Sequence, residues 1–364
     1  MSALHRIWTT LLVTLSLSLI CGSTGAAEQQ QQKQQQKPFV VILATGGTIA
    51  GAAETGTQSG YKSGAVTIDA MLAAVPGIDE LASVKGEQIA NVGSQDMSFE
   101  ILLKLVKRIN ELARDPEIEG FVVTHGTDTM EESAFFLNLT AKTDKPIVLV
   151  GSMRPSTAVS ADGPLNLFNA VAVAANPQAK GRGVLVVMND QIHAAHSLTK
   201  MSATAVETFM SPGRGLVGIV NYGKSEFYNS PVWKHTNQAE FDVSNVTALP
   251  RVDVFFYAID ASPDLINAAV AAGAKGLVIA GVGNGNLSKA SVEAAANAVK
   301  KGVVVVRASR VPTGVISRNV ELDDDKLGFI ASYDLNPQKS RILLALALLK
   351  PRTPAQIQAL FRTY

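Results

Sequence analysis

From Phe39 onward, short β-branched runs alternate with helix-period segments, and this alternation constrains the fold more than any other feature of the chain. The runs FVVIL (39–43), FVVT (Phe121 to Thr124), PIVLV (146–150) and GVLVVM (183–188) are almost continuously apolar, as strands buried on both faces must be. Between them, Ile101, Leu102, Leu105, Ile109 and Leu112 recur at helical spacing within Ser98 to Arg114. Such alternation implies a mainly parallel sheet covered by helices. Gly215 to Val220 reads as another strand, and the rhythm then lapses through the polar, aromatic stretch Asn221 to Pro250. It resumes with VDVFFY (252–257), GLVIAG (276–281) and GVVVV (302–306), separated by alanine-rich helices. The expectation is an α/β chain of two domains. A larger N-terminal mixed or parallel sheet with helices on both faces spans 38–228, a linker spans 229–250, and a smaller C-terminal parallel α/β domain spans 251–364. With 364 residues, 47% of them hydrophobic, the chain can bury a core in each.

Ahead of this pattern, His5 and Arg6 precede an apolar run from Ile7 to Ile20, and small residues follow up to Ala27. That layout reads as a secretory signal over 1–27, too short for a comfortable membrane span. Residues 28–37 are glutamine-rich and are expected to be a disordered tether. The only cysteine, Cys21, falls in the leader, and bulky Ile20 before it argues against a lipid anchor. Periplasmic export without disulfides or membrane attachment is the expectation. A net charge of +1, with no basic block, gives nucleic-acid binding no electrostatic support.

Several formal motifs fail on context. GIVNYGKS (218–225) matches a phosphate loop, but its inner residues suit a strand leaving the first domain, and EFYNSP after it does not open a helix. VGNGN (282–286) lacks the third glycine of a dinucleotide fingerprint. His193 and His196 lie three apart without HExxH, a cysteine pair or a carboxylate cluster, so no metal site is expected. GxSxG is absent, and with it the α/β-hydrolase nucleophile elbow.

Two strand ends remain. In VILATGGTIAG (41–51) a strand breaks into two glycines followed by Thr48, a hydroxyl that needs a neighbouring base before it can attack a carbonyl. The glycine-rich stretch after it, with one tyrosine (Tyr61), has the composition of a lid that could deliver a phenolic oxygen on closure. In VVTHGTDTMEE (122–132) a helical pattern begins near Thr129, with Glu132 placed to complete a capping box. Helix capping alone is the bland reading of Thr127, Asp128 and Thr129. The alternative is that Thr127 and Asp128 face a ligand in the crevice at the strands' carboxyl ends.

ATGGTIAG followed by THGTDTMEE resembles the bacterial L-asparaginases, specifically the secreted type II (asparaginase/glutaminase) branch. The likeness extends through GSQDM (93–97), GSMRP (151–155), SADGPLNL (160–167), LTK (198–200), VGNGN (282–286) and NPQKSRILLALAL (336–348). The resemblance implies hydrolysis of the side-chain amide of L-asparagine to L-aspartate and ammonia, with no metal or organic cofactor. It implies Thr48 as the nucleophile forming an acyl-enzyme, Tyr61 as the lid tyrosine that helps activate it, and Thr127, Asp128 and Lys200 as a second triad. For the substrate it implies Ser94 and Gln95 at the α-carboxylate, and Asp128 and Glu321 at the α-ammonium, with Asn286 supporting Glu321. Glutaminase-leaning relatives often carry glutamate at the position of Gln95, so asparagine preference with minor L-glutaminase activity is expected. The family's assembly implies a homotetramer, a dimer of dimers with sites shared between subunits. The rival from another class is a periplasmic amino-acid-binding protein without catalysis.

Overall fold

Every other residue of β1 (Phe39–Gly46) enters a different core: Val40, Ile42 and Ala44 pack on one side of a sheet, Val41 and Leu43 on the other. A strand apolar at every position has to be interior, and β1 lies between β2 (Ser83–Val92) and β3 (Ile118–Thr124), parallel to both. Beyond β3 come β4 (Ile147–Val150) and β5 (Val184–Met188), also parallel. The computed structural model describes residues 37–57, 60, 62 and 64–364, so the expected leader and nearly all of the glutamine-rich tether lie outside the described residues.

The sheet continues antiparallel through β6 (Gln191–Ala194) to a hairpin of β9 (Gly218–Asn221) and β10 (Lys224–Phe227), giving the order β10-β9-β6-β5-β4-β3-β1-β2. A separate two-stranded ladder joins β7 (Thr199–Lys200) to β8 (Phe209–Met210). The hairpin corrects one expectation. GIVNYGKS is not a strand leaving the domain: it forms β9 (Gly218–Asn221), a turn, and the start of β10 (Lys224–Phe227). Tyr222, expected to suit a strand, and Gly223 both have positive φ, 44° and 79°, which gives the two-residue turn that matches strand twist.

The smaller sheet runs β11 (Val252–Phe256), β12 (Gly276–Gly281), β13 (Val304–Ser309) and β14 (Phe329–Ala331), all parallel. The helix Pro337–Ala347 packs on β11–β13 and on the helix Met130–Thr140 of the larger sheet, so one core is continuous between the two sheets. The stretch 229–250 contributes to that core through Ala239, Phe241 and Val243. The expected α/β architecture, with a larger mixed sheet and a smaller parallel one, is the observed one. No helix among the described residues is long and apolar enough to cross a membrane.

Candidate active site

The order β2-β1-β3-β4-β5 reverses direction between β1 and β3, and open α/β sheets form a ligand crevice outside the strand ends at such a point. The two singled-out stretches are the ends of these two strands. Gly46 and Gly47 take φ of 108° and 83°, and they also let three chain segments meet. A Cβ on Gly46 would fall 2.5 Å from the carbonyl oxygen of Val92, the last residue of β2, and one on Gly47 would fall 2.2 Å from the backbone nitrogen of Gly126, after β3. Thr48 then opens a short 3-10 turn and is buried at the junction. The turn's last carbonyl, Gly51, accepts from both the backbone N–H and the hydroxyl of Ser156.

Two motifs that carried the resemblance without an assigned role interlock behind this turn. The Asp162 carboxylate accepts from the backbone N–H groups of Met153 and Arg154, both at 2.9 Å, and Asn166 donates to the Gly151 carbonyl at 3.1 Å. GSMRP and SADGPLNL therefore form one buttress, whose next residue, Ser156, holds the Thr48 turn.

At the end of β3 the capping expectation fails. Thr129 is the N-cap of the helix Met130–Thr140, yet its side chain makes no cap bond, and no capping box with Glu132 forms. Its hydroxyl instead donates to the Ser94 carbonyl at 2.8 Å, while the Asp128 N–H donates to the Ser94 hydroxyl at 3.1 Å. The Thr127–Thr129 turn is thus latched to the Ser94 loop.

Lys200, on β7, comes from 72 residues further along the chain to meet Asp128. Its Nζ donates to Thr127 Oγ1 at 2.9 Å and to Asp128 Oδ1 at 2.6 Å. Thr127 is buried, the lysine side chain is 15% exposed and the Asp128 side chain 61% exposed, so the aspartate is the member that reaches solvent. Charge-assisted bonds of this kind hold a side chain in one orientation better than neutral ones do. Ser94 is buried and Gln95 beside it exposed. Tyr61 lies outside the described residues.

Asn286 and Glu321 form a second group in the smaller domain, with Asn286 Nδ2 donating to Glu321 Oε2 at 2.7 Å. Neither hydrogen-bonds to Thr127, Asp128 or Lys200 among the described residues. Their loops are organised by a residue that the sequence reading passed over, because it follows a strand read as ending at Val306. Arg307 is 2% exposed, paired through both carboxylate oxygens with fully buried Asp324 at 2.7 and 2.8 Å. Its remaining N–H groups reach the carbonyls of Asn284 and Ser317 at 2.8 and 3.1 Å. An arginine interrupting a β-branched run was the available signal, since a guanidinium enters a core only with its donors matched.

Four histidines, His125, His193, His196 and His235, are buried, and burial disfavours the charged form of each. Burial pushes His125, next to the Thr127 turn, down to about 4; it pushes His193 to about 4 and His196 down as well. Among the described residues, no cluster of three or more His, Cys, Asp or Glu side chains could hold a metal ion. Unfolded histidines bind protons below about 6.5, while His125 and His193 do not until about 4, so in that window the unfolded chain binds more protons and stability falls as pH falls. His125 and His193 should each contribute about 3 kcal/mol of that loss by pH 4. In proton NMR of the folded protein, their imidazole signals should stay flat between pH 8 and 5. Titration near 6.5 would contradict this.

Known proteins can be set beside this geometry. The family model described as "Asparaginase, N-terminal" matches residues 39–233, and "Glutaminase/Asparaginase C-terminal domain" matches 251–361. A Haemophilus influenzae protein named "Probable L-asparaginase periplasmic" is 50% identical over 325 residues, 89% of this chain and 93% of that protein. The Escherichia coli "L-asparaginase 2" is 48% identical over 347 residues, 95% of this chain and 97% of that protein. A crystal structure described as a probable cytoplasmic L-asparaginase from Campylobacter jejuni superposes with a TM-score of 0.87 at 48% identity, covering 90% of this chain and all of that one. The two matched segments leave only a short stretch between them, and the chain belongs to the asparaginase family.

Proposed function

We infer that this enzyme hydrolyses the side-chain amide of L-asparagine to L-aspartate and ammonia, with L-glutamine as a lesser substrate. The observation that carries the reading is the Lys200–Thr127–Asp128 cluster at the switch point, next to a buried threonine at the end of β1, in a member of this family. In the reaction, the Thr48 hydroxyl oxygen bonds to the amide carbon and gives up its proton, with Tyr61 assisting. The tetrahedral adduct collapses as the leaving nitrogen takes a proton and departs as ammonia. A water then attacks the aspartyl ester, and Thr48 recovers its proton. In this reading Thr127, whose hydroxyl accepts a hydrogen bond from Lys200, passes protons in both halves.

The free amino acid carries opposite charges at its α-carbon, and each has to be matched when it leaves water. Asp128 faces the ammonium, and the Ser94–Gln95 turn offers hydroxyl, amide and backbone N–H groups to the carboxylate. Glu321, held by Asn286, is the second acidic partner, and we assign it to the site of a neighbouring subunit within a dimer-of-dimers homotetramer. The exported, periplasmic location rests on the leader-like segment 1–27, in keeping with the name of the Haemophilus relative, although the Campylobacter protein is called cytoplasmic. The proposed domain limits are 38–228 and 251–364, joined by 229–250.

The test is ammonia release. Purified protein given L-asparagine should release ammonia and aspartate in equal amounts, more slowly from L-glutamine, and should do so undiminished after prolonged EDTA treatment. Binding without ammonia release would instead make this an amino-acid-binding protein. Activity lost to EDTA and restored by zinc or magnesium would overturn the metal-free mechanism.

A further inference from the structure

The motif NPQKSR (336–341) has no part in the chemistry above, yet its first turn bonds to two segments that adjoin the residues carrying it. Lys339 is fully buried, and among the described residues no carboxylate lies within ion-pair distance of it. Its Nζ donates to the His196 carbonyl at 2.8 Å and to the Leu198 carbonyl, and lies 5.9 Å from the ring centre of Phe135. Those carbonyls stand just before β7, whose second residue is Lys200. Asn336 Nδ2 reaches Thr199 Oγ1 at 3.4 Å and Glu131 Oε2 at 3.0 Å, and Gln338 Nε2 reaches Glu131 Oε1 at 2.8 Å. Glu131 is buried in the first turn of the helix that follows Asp128.

One turn of the C-terminal domain therefore grips the segment that carries Lys200 and the helix that begins behind Thr127 and Asp128. We propose that the turn Asn336–Lys339 is a clamp that sets the Lys200–Thr127 contact, with Lys339 as a positioning residue for Lys200. Burial pushes the Lys339 ammonium down to about 8 against the opposing pull of Glu131 and Asp334. An apolar side chain would fill that volume without this desolvation cost, but it would leave the two carbonyls unheld. The inference rests on the assignment of Lys200 to the reaction.

A double-mutant cycle separates positioning from plain structural support. Lys339→Met keeps most of the side-chain volume and removes the donor. In the otherwise unaltered protein it should lower kcat on L-asparagine by about 100-fold with KM nearly unchanged, as expected for a small misplacement of a reacting group. In a Lys200→Ala background, whose residual turnover is followed by ammonia release over long incubations, it should change kcat by less than about twofold. The same large factor in both backgrounds, or no loss of kcat in the first, overturns the clamp while leaving the reaction assignment intact. If Lys200→Ala itself turns over like the unaltered enzyme, the role given to Lys200 fails and the clamp fails with it. Should Lys339→Met not fold, Asn336→Ser takes its place in the cycle. It keeps an oxygen for the helix cap, loses the amide donor to Glu131 and Thr199, and is judged by the same two factors.

Discussion

Thr48→Ala should lower kcat on L-asparagine by roughly three orders of magnitude or more while leaving the fold intact, because removing the nucleophile leaves only binding and charge stabilisation. The turn that bears Thr48 is set by Gly46, Gly47 and the Ser156 contacts to Gly51, all of which the alanine variant keeps. Far-ultraviolet circular dichroism should therefore show the parent's fold. Thr48→Ser keeps a hydroxyl and should retain more activity than the alanine variant. Lys200→Ala should fall about as far, since Thr127 and Asp128 lose the ammonium that orients them. A Thr48→Ala enzyme working near the parent rate would move the nucleophile to Thr127.

Mixing two inactive variants should restore activity if Glu321 serves a neighbouring site. Thr48 and Lys200 belong to the larger sheet's end of the molecule, whereas Glu321 and Asn286 are bonded to each other in the smaller domain. Thr48→Ala and Glu321→Ala proteins, each nearly inactive, are unfolded and refolded together. In a mixed two-fold dimer one site carries both defects and the other carries neither. Random pairing makes about half the dimers mixed, so about a quarter of all sites should be intact. Native mass spectrometry establishes that mixed assemblies formed. If they did and the mixture is no more active than its components, each chain supplies its own Glu321 and the shared site is wrong.

Much of the fold was legible because buried strands announce themselves: FVVIL, PIVLV and GLVIAG have no reading other than interior sheet once helices flank them. Strand β2, SVKGEQIANV, was not legible, because its burial is partial and its residues are mostly polar or small. The GIVNYGKS hairpin was misread because the turn depends on Tyr222 taking a positive φ, which no local signal announced. In the candidate site, the strand-end position of Thr48 and Thr127 followed from sequence, since glycines after an apolar run mark where a sheet stops. Lys200 had no local signature, and only the family resemblance nominated it. Its place beside Thr127 arises from packing across 73 residues of chain. The capping box at Thr129 looked sound by spacing and lost to a tertiary partner, Ser94. Arg307 was overlooked because buried charge is visible in sequence only as a polar residue in an apolar run, and Lys339, within the polar stretch NPQKSR, lacked even that signal.

The central claim is that a threonine of this chain, Thr48, carries the aspartyl group between ammonia release and hydrolysis. Acid-quenching the enzyme during turnover of L-asparagine, followed by peptide mass spectrometry, tests it most directly. The account predicts an aspartyl adduct on the peptide containing Thr48, absent from the Thr48→Ala protein and absent without substrate. An adduct on the Thr127 peptide instead, or ammonia released at full rate with no adduct on either, would contradict it.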